Sequence, residues 1–440
     1  MIPFKIFYFF LKVLFLSIFI QKYKIVVNQL FKTRNFTNNG CPDNLIMPLR
    51  HLKNVILSIN IKKNAKFDEN AEIVLFNDSA ESENDNNEYV NYLNLINHKL
   101  PKLWFQRNDL FIDDLFIRVN TFIISLFLFL IIFPIFPFIN KNRASTSVII
   151  SLFPNWVFLY YHIKKINCRY FYYFNSHPSD SNLIALLLQE NDIIVHKVCL
   201  NVPINWFYKY LYCDIFSATL PYHRNEILLL NNKNNWSVNK IYHWPLLKYQ
   251  LYTPYIYRGK SKYDFSLGLI SSGTETRIMM NHVESTEDQI SEKRLLKFLK
   301  NYTKDTKINL LVLLHPYEKT NNIIYNETVK RYYDEFKNSN VTVSEMNKNS
   351  LEYFSRIELC LTATSQLGAF RIFCGYKTIY APLCYDNNFF HEKSIESVTC
   401  YTETDLENTI NKAFQLNEQE FFKKHNLKQY HYKHQKIKIN

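Results

Sequence analysis

Glycine is scarce in this sequence, which contains only 6 glycines among its 440 residues. A dinucleotide-binding fingerprint or a Walker phosphate loop needs several glycines within one tight turn. No such cluster is present, so the sequence argues against NAD-dependent enzymes and P-loop nucleotide hydrolases.

Patterns for metal binding are missing as well. The 8 cysteines form no Cys-x-x-Cys pair, whereas zinc sites hold their ligands at such spacings. No Asp-x-Asp motif is present to bind a divalent cation. Several cysteines lie within apolar runs, where buried and reduced thiols are expected. We therefore expect no metal and no cofactor.

Positive charge is in excess, because 52 Lys and Arg residues outnumber 39 Asp and Glu residues, for a net charge of +13. A basic surface favours nucleic acid, an anionic membrane surface or a phosphorylated substrate as partner. The cations are spread along the chain, without zinc-finger spacing or a basic helix joined to heptads. We therefore expect no nucleic-acid partner.

The segment Thr121–Ile139 is apolar and carries no charge over 19 residues. About 20 apolar residues cross a bilayer, but Pro134 and Pro137 would kink or end a helix. Three interpretations stay open: a transmembrane helix, a monotopic re-entrant anchor and a buried core helix. Basic residues flank the segment on both sides, so charge gives no orientation.

The N-terminal segment Met1–Ile20 is also apolar, with Lys5 and Lys12 inside it. It has no small-residue cleavage site, so we interpret it as an uncleaved amphipathic or membrane-contacting helix. The two apolar segments predict a membrane-associated protein, monotopic or transmembrane.

Strand-like and helix-like segments alternate along the chain, which predicts parallel sheets and an α/β fold. In the first half, Val148–Phe153 and Arg169–Phe174 are predicted strands, and Ser179–Glu190 a helix. Residues 220–261 are predicted to connect the halves. In the second half, apolar strands are predicted at Asp264–Ile270, Ile308–Leu314 and Ile357–Ala363.

These elements predict four parts. Residues 1–45 form an apolar helix and a connection, residues 46–250 a Rossmann-like domain that contains the apolar segment, residues 251–422 a second Rossmann-like domain, and residues 423–440 a basic tail.

Polar side chains follow three strands of the second half. Ser271, Ser272, Gly273 and Arg277 follow the first, and the next is followed by His315-Pro316-Tyr317-Glu318. Thr364 and Ser365 follow the third and open a helix. Ligands bind at the carboxyl ends of parallel strands. A helix N-terminus, an imidazole and a guanidinium all suit phosphate, so these segments predict a metal-independent phosphate site.

The ordered set of these motifs resembles bacterial capsule and surface-polysaccharide biosynthesis proteins. It is also similar to GT-B inverting transferases, which include sialyltransferases, polysialyltransferases and CDP-glycerol glycerophosphotransferases. The resemblance implies a GT-B-like fold with two Rossmann-like domains facing a cleft and added membrane-contacting helices. In such a fold residues 46–250 are the acceptor domain and residues 251–422 the nucleotide-donor domain. A bacterial enzyme of this kind is expected on the cytoplasmic face of the inner membrane. The resemblance also implies that His315 and Pro316, and Thr364 and Ser365, bind the phosphate and nucleotide of a donor. Glu318 belongs to the first of these motifs.

The acidic pair followed by glycine that supplies the catalytic base in sialyltransferase-like enzymes is missing from this sequence. Substitute bases are Asp78, which follows a predicted strand, and Asp180 with His177, which follow another. An inverting transferase needs one carboxylate or imidazole near the acceptor hydroxyl.

The sequence thus predicts a glycosyltransferase of capsule, lipopolysaccharide or other surface-polysaccharide biosynthesis. Its expected partners are a nucleotide-activated sugar (CMP-, CDP- or UDP-linked), a glycan or lipid-linked acceptor, and an anionic membrane surface. Two alternatives stay open: a CDP-polyol phosphotransferase, and a non-catalytic transferase-like membrane protein.

Overall fold

The structure is a computed structural model. It describes residues 2–32, 71–77, 102–106, 114–139, 144–174, 181–199, 211–218, 228–229, 237–243, 253–257, 259, 263–280, 286–385, 389–390 and 392–427. The chain divides into two compact units, Met1–Pro245 and Leu246–Asn440. The predicted boundary lies between residues 250 and 251, and the separate N-terminal and C-terminal segments stay predictions.

The first unit contains a six-stranded sheet in which every neighbouring pair is parallel. Its strand order is β2-β1-β3-β4-β5-β6. The strands are β1 (Ile73–Asn77), β2 (Lys102–Gln106), β3 (Tyr170–Phe174), β4 (Ile194–Cys199), β5 (Tyr212–Ala218) and β6 (Ser237–His243). The strand order reverses at β1: β2 lies on one side of it, and β3 to β6 follow on the other. The last residues of β1 and β3, Asn77 and Phe174, are in register.

Five helices accompany this sheet within the described residues: α1 (Ile2–Leu16), α2 (Gln21–Lys32), α3 (Leu115–Ile139), α4 (Ala144–Lys165) and α5 (Ser181–Gln189). The predicted strand Val148–Phe153 is wrong, because that run lies inside α4. A short apolar run fits a buried helix as well as a strand. The helix continues through Trp156, Leu159 and Ile163, which are buried at helical spacing.

The connecting region predicted at residues 220–261 is also wrong in part, because its residues Ser237–His243 form the edge strand β6. The core of this unit lies between the helices and the sheet. Phe10 of α1 packs against Trp156 of α4 with ring centroids 5.5 Å apart.

No single helix in the described part of the chain is long and apolar enough to cross a membrane. The pair formed by α1 and residues Gln21–Val27 passes that test together, with a bend of 114° between its members. The segment Thr121–Ile139 is helical and lies within α3. Ile124 and Leu128 on this helix are buried, whereas Ile123 and Phe127 are exposed.

The second unit contains a five-stranded parallel sheet in the order β11-β10-β7-β8-β9. Its strands are β7 (Phe265–Ile270), β8 (Leu310–Leu313), β9 (Val341–Val343), β10 (Ile357–Thr362) and β11 (Thr378–Tyr380). Its α-helices are α6 (Thr274–Met279), α7 (Thr286–Thr306), α8 (Asn322–Glu335), α9 (Gln366–Phe373), α10 (Lys393–Glu396), α11 (Glu403–Phe414) and α12 (Glu418–Lys424). Short 3₁₀ helices span Thr253–Tyr255, Pro316–Lys319 and Ser350–Arg356.

The chain builds the second sheet outward from β7, first through β8 to β9 and then on the other side through β10 to β11. This is the Rossmann-like order, in which a crevice opens at the point where the strand order reverses, here between β7 and β10. The predicted α/β class is confirmed, with a parallel sheet in each unit.

Arg371 on α9 is fully buried, and among the described residues its hydrogen bonds go to carbonyl and hydroxyl oxygens and not to a carboxylate. Its guanidinium donates to the carbonyl oxygens of Lys377, Ile357 and, at 3.2 Å, Phe354. Burial lowers the pKa of this guanidinium. The carbonyl groups offset the cost of burying the cation, and Arg371 thereby ties α9 to the segments that precede β10 and β11.

We expect Arg371→Met to lower the free energy of unfolding by at least about 2 kcal/mol, because buried carbonyl groups lose their donors. Arg356→Met is the matched control, since Arg356 forms an exposed ion pair with Asp264 at 2.6 Å. Its removal should cost less than about 1 kcal/mol. Urea unfolding followed by far-UV circular dichroism measures both. The last tryptophan is Trp244, so tryptophan fluorescence reports the first unit alone. Equal losses for the two variants would contradict this role.

Candidate functional site

Three loops meet at the carboxyl edge of the second sheet. The strands β7 and β10 end in register, with Ile270 paired to Thr362. The loops that follow them approach each other, and Ser272 Oγ lies 3.5 Å from Thr364 Oγ1. This contact lies at the reversal of strand order, where open α/β sheets bind ligands.

Gly273 brings the third loop into contact. Its φ of 65° is in the left-handed region, which glycine adopts without strain. A Cβ atom at this position would lie 2.7 Å from Cβ of His315 and 2.9 Å from its Cγ. The loop after β7 therefore touches the turn after β8 directly, and only glycine allows this approach.

His315 is half-buried and precedes the 3₁₀ helix Pro316–Lys319, which Pro316 opens. The backbone N–H of Tyr317 donates to His315 Nδ1 at 3.2 Å. In a neutral imidazole with Nδ1 as acceptor, the proton lies on Nε2. The imidazole also stacks on the Tyr317 ring, with centroids 5.4 Å apart. His315 is thus held in one orientation with an N–H donor on Nε2.

Glu318 is fully buried and fixes this turn from beneath. Its Oε2 accepts from the backbone N–H of His315 at 2.7 Å, which closes a capping box. Its Oε1 accepts from Arg331 Nη2 at 2.8 Å and lies 3.2 Å from the Tyr332 hydroxyl. Both carboxylate oxygens are therefore engaged within the protein, and the side chain holds the turn that carries His315.

Glu292 on α7 fixes the loop after β7 as Glu318 fixes the turn after β8. It was not predicted from the sequence. Its Oε1 accepts from the backbone N–H of Ser272 at 2.6 Å, and its Oε2 accepts from the backbone N–H of Thr274 at 3.0 Å. The Thr274 hydroxyl donates to Oε2 as well. A carboxylate therefore occupies the amide groups that a phosphate would otherwise use at such a loop.

A sequence signal for Glu292 did exist. The buried stripe of α7 includes Asp288, Glu292, Leu295 and Leu299, at the spacing of one helix face. An acid on an otherwise core-facing stripe needs buried hydrogen-bond donors. The loop Ser271–Thr274 supplies them.

The two carboxylates are linked through side-chain hydroxyls. Ser271 Oγ lies 3.3 Å from Glu292 Oε1, and the Tyr332 hydroxyl donates to Ser271 Oγ at 2.9 Å. Burial raises the pKa of Glu318, and the charge of Glu292 raises it further. The loops after β7 and β8 thus share one buried polar network.

Arg277 on α6 lies beside the turn that follows β8. Its guanidinium carbon is 5.8 Å from the centroid of the Tyr317 ring, which in turn stacks on His315. The contact is at cation–π distance, so the cation is near the turn that presents the imidazole.

Ser365 is the N-cap residue of α9, and its side chain makes no capping hydrogen bond. Its backbone N–H donates to Thr362 Oγ1 at 3.1 Å, and the Thr362 hydroxyl donates to the Ile270 carbonyl at 3.1 Å. The start of α9 is thereby fixed to the end of β7.

The structure brings together most of the predicted phosphate-site residues. Ser272 meets Thr364, and Gly273 meets His315. Their role in binding a donor stays a prediction. The three substitute bases, Asp78, His177 and Asp180, lie outside the described residues. The strands before them, β1 and β3, end side by side at the reversal of the first sheet.

In the part of the chain that the structure describes, no group of three His, Cys, Asp or Glu side chains is arranged to hold a metal ion. No protein-family model matches the sequence, and no curated protein matches it.

Solved structures similar to this chain include a UDP-N-acetylglucosamine 2-epimerase from Rickettsia bellii, with 8% identity and a TM-score of 0.45, covering 81% of this chain and 93% of that one. MurG from Acinetobacter baumannii has 11% identity and a TM-score of 0.37, covering 82% and 96%. The wall teichoic acid polymerase TagF has 12% identity and a TM-score of 0.34, covering 86% and 91%. These values are too low to carry an argument about site or substrate.

The raised pKa of Glu318 gives a prediction with a definite sign. A carboxyl whose pKa is higher in the folded than in the unfolded chain binds its proton more tightly when folded. Stability therefore falls as pH rises from about 4.3, the unfolded value, through the raised one. Glu318→Gln removes this ionisation. We expect the free energy of unfolding of the variant, relative to wild type, to increase as pH rises.

The measurement is urea unfolding from about pH 4 to about pH 7. Glu352→Gln is the matched control, because Glu352 closes the same kind of capping box on the surface, at 2.8 Å from the backbone N of Asn349. A pH dependence equally steep in both variants would show that burial of Glu318 is not its cause.

Proposed function

We propose that this chain is a metal-independent glycosyltransferase of GT-B type, and that its second unit binds the phosphates of a nucleotide-activated sugar. The observation that supports this most is the convergence of Ser272, His315 and Thr364 at the reversal of a Rossmann-like sheet. A binding role for these polar groups explains why three loops from separate strands present them at one edge.

His315 is the proposed principal hydrogen-bond donor to the phosphates. Its Nδ1 accepts from the backbone of Tyr317, so in the neutral imidazole the hydrogen-bond donor is the N–H on Nε2. An N–H aimed at the bridging oxygen of a departing nucleotide would stabilise the charge that develops there. Arg277, near Tyr317, would add a positive charge to the same region.

Hydroxyl groups complete the proposed site. Thr364 and Ser365 lie at the N-terminus of α9, where the helix dipole favours an anion. The amides of Ser272 and Thr274 are already bound to Glu292. The proposed phosphate ligands are therefore the imidazole, the hydroxyl groups and the Arg277 guanidinium.

In this proposal the first unit binds the acceptor, a glycan or a lipid-linked sugar of a surface polysaccharide such as capsule or lipopolysaccharide. The base would be Asp180, Asp78 or His177. Each follows a strand at the reversal of the first sheet, where a substrate-facing residue is expected.

Donor binding tests the proposal. Titration calorimetry with CMP-, CDP-, UDP- and GDP-linked compounds identifies the nucleotide. We expect His315→Ala to weaken binding about ten- to a hundred-fold, as for a hydrogen bond to a charged group, and Thr364→Val about five-fold. Binding of a CDP-polyol and not of a sugar nucleotide would instead favour a polyol-phosphate transferase.

His425→Ala is the matched control, because His425 belongs to the same unit but contacts Phe421 and Ser397 instead. It should bind the donor like wild type. Absence of binding by every nucleotide in the panel, or equal effects of the His315 and His425 variants, would contradict the proposed function.

A further inference from the structure

Helix α1 exposes an apolar stripe. Phe4, Tyr8, Leu11 and Phe15 are exposed and recur at three- and four-residue spacing along one face, with Tyr8 at 70% exposure. The opposite face carries the buried residues Ile6, Phe9, Phe10 and Val13. The helix is therefore apolar on both faces, whereas a helix on a protein surface is ordinarily polar toward solvent.

Helix α3 repeats this arrangement. Its exposed residues Phe116, Val119, Ile123, Phe127 and Leu130 also fall on one face. Its buried residues on the other side are Ile117, Thr121, Ile124, Ser125 and Leu128. Packing against the core of the unit thus buries one face of α3 and leaves the other exposed.

The two stripes form one surface. Helices α1 and α3 pack against each other, and the rings of Phe7 and Phe127 meet edge to face with centroids 6.1 Å apart. The surface extends into the turn after α1, where Ile18 is 72% and Phe19 is 71% exposed. We call the exposed residues of α1, of this turn and of α3 the apolar face. Contiguous exposed apolar surface of this kind marks an interaction site.

Cations outnumber acidic groups around the apolar face, where Lys12 forms an ion pair with Glu190 at 2.8 Å and Asp114 accepts from the backbone N–H of Ile117 at the start of α3. Residues 1–27 contain four lysines and no acidic residue. Lys22 and Lys24 are exposed directly after the apolar turn. Helix α3 contains Arg118 and no acidic residue. A second copy of this chain would bring like charges together, which opposes a symmetric dimer. An anionic lipid surface complements both the cations and the apolar side chains.

We propose that the apolar face inserts into the interfacial region of an anionic bilayer, with Phe15, Ile18 and Phe19 among the acyl chains and Lys22 and Lys24 at the headgroups. The inference does not depend on the proposed function, because lipid binding is measured without donor or acceptor.

Flotation of the full chain with vesicles tests the proposal. We expect binding to vesicles of phosphatidylcholine with phosphatidylglycerol, and weaker binding to phosphatidylcholine alone. The double variant Lys22→Gln, Lys24→Gln should lose about ten- to thirty-fold in partitioning on the anionic vesicles and little on the neutral ones. The double variant Phe15→Ser, Phe19→Ser should lose binding to the anionic and to the neutral vesicles, because both depend on insertion of apolar side chains.

The matched control is Ile323→Ser with Tyr333→Ser, two exposed apolar residues on α8 of the second unit. Its binding should equal that of wild type. The proposal is overturned if wild type does not float with anionic vesicles, or if the phenylalanine variant floats as well as the control. It is also overturned if sedimentation equilibrium shows a dimer that the phenylalanine variant dissociates while vesicle binding is unchanged.

Discussion

A buried carboxylate, Glu292, determines the form of the candidate site. It accepts hydrogen bonds from the backbone N–H groups of Ser272 and Thr274. The loop after β7 is thereby fixed in a conformation whose positive φ requires glycine at position 273. Without it these donors would face a buried environment unsatisfied, at a cost of about 1–3 kcal/mol each. The contacts of Ser272 with Thr364 and of Gly273 with His315 both depend on this loop position.

Glu318 fixes the neighbouring turn by accepting from the backbone N–H of His315. Hydrogen bonds through Ser271 and Tyr332 join the two acidic side chains. Burial raises the pKa of Glu318, and repulsion from the like charge of Glu292 raises it further. Arg331 offsets part of this cost through its ion pair with Glu318. The side chains at the rim are therefore held before any ligand arrives, and preorganised donors lose little freedom on binding.

The apolar strands of the second unit were predictable from the sequence, and so was the meeting of their polar ends, because parallel register brings carboxyl ends to one edge. Glu292 was missed because an acid on a helix is ordinarily taken as solvated, although its position on a buried stripe was a usable signal. Arg371 was missed because a cation on a helix is likewise ordinarily taken as solvated. Val148–Phe153 was assigned wrongly because a run of six residues, five of them apolar, does not distinguish strand from helix. No local pattern in the first half distinguishes among Asp78, His177 and Asp180 as the base that the proposed function requires.

The most direct measurement of the central claim is a structure of the full chain with bound CDP or UDP. The account predicts that a phosphorus atom lies within about 4 Å of His315 Nε2, with its oxygens at hydrogen-bond distance from Thr364 or Ser365, and that Glu292 stays on the loop amides. A nucleotide bound away from the ends of β7, β8 and β10, or phosphates on the amides of Ser272 and Thr274 with Glu292 displaced, would contradict it.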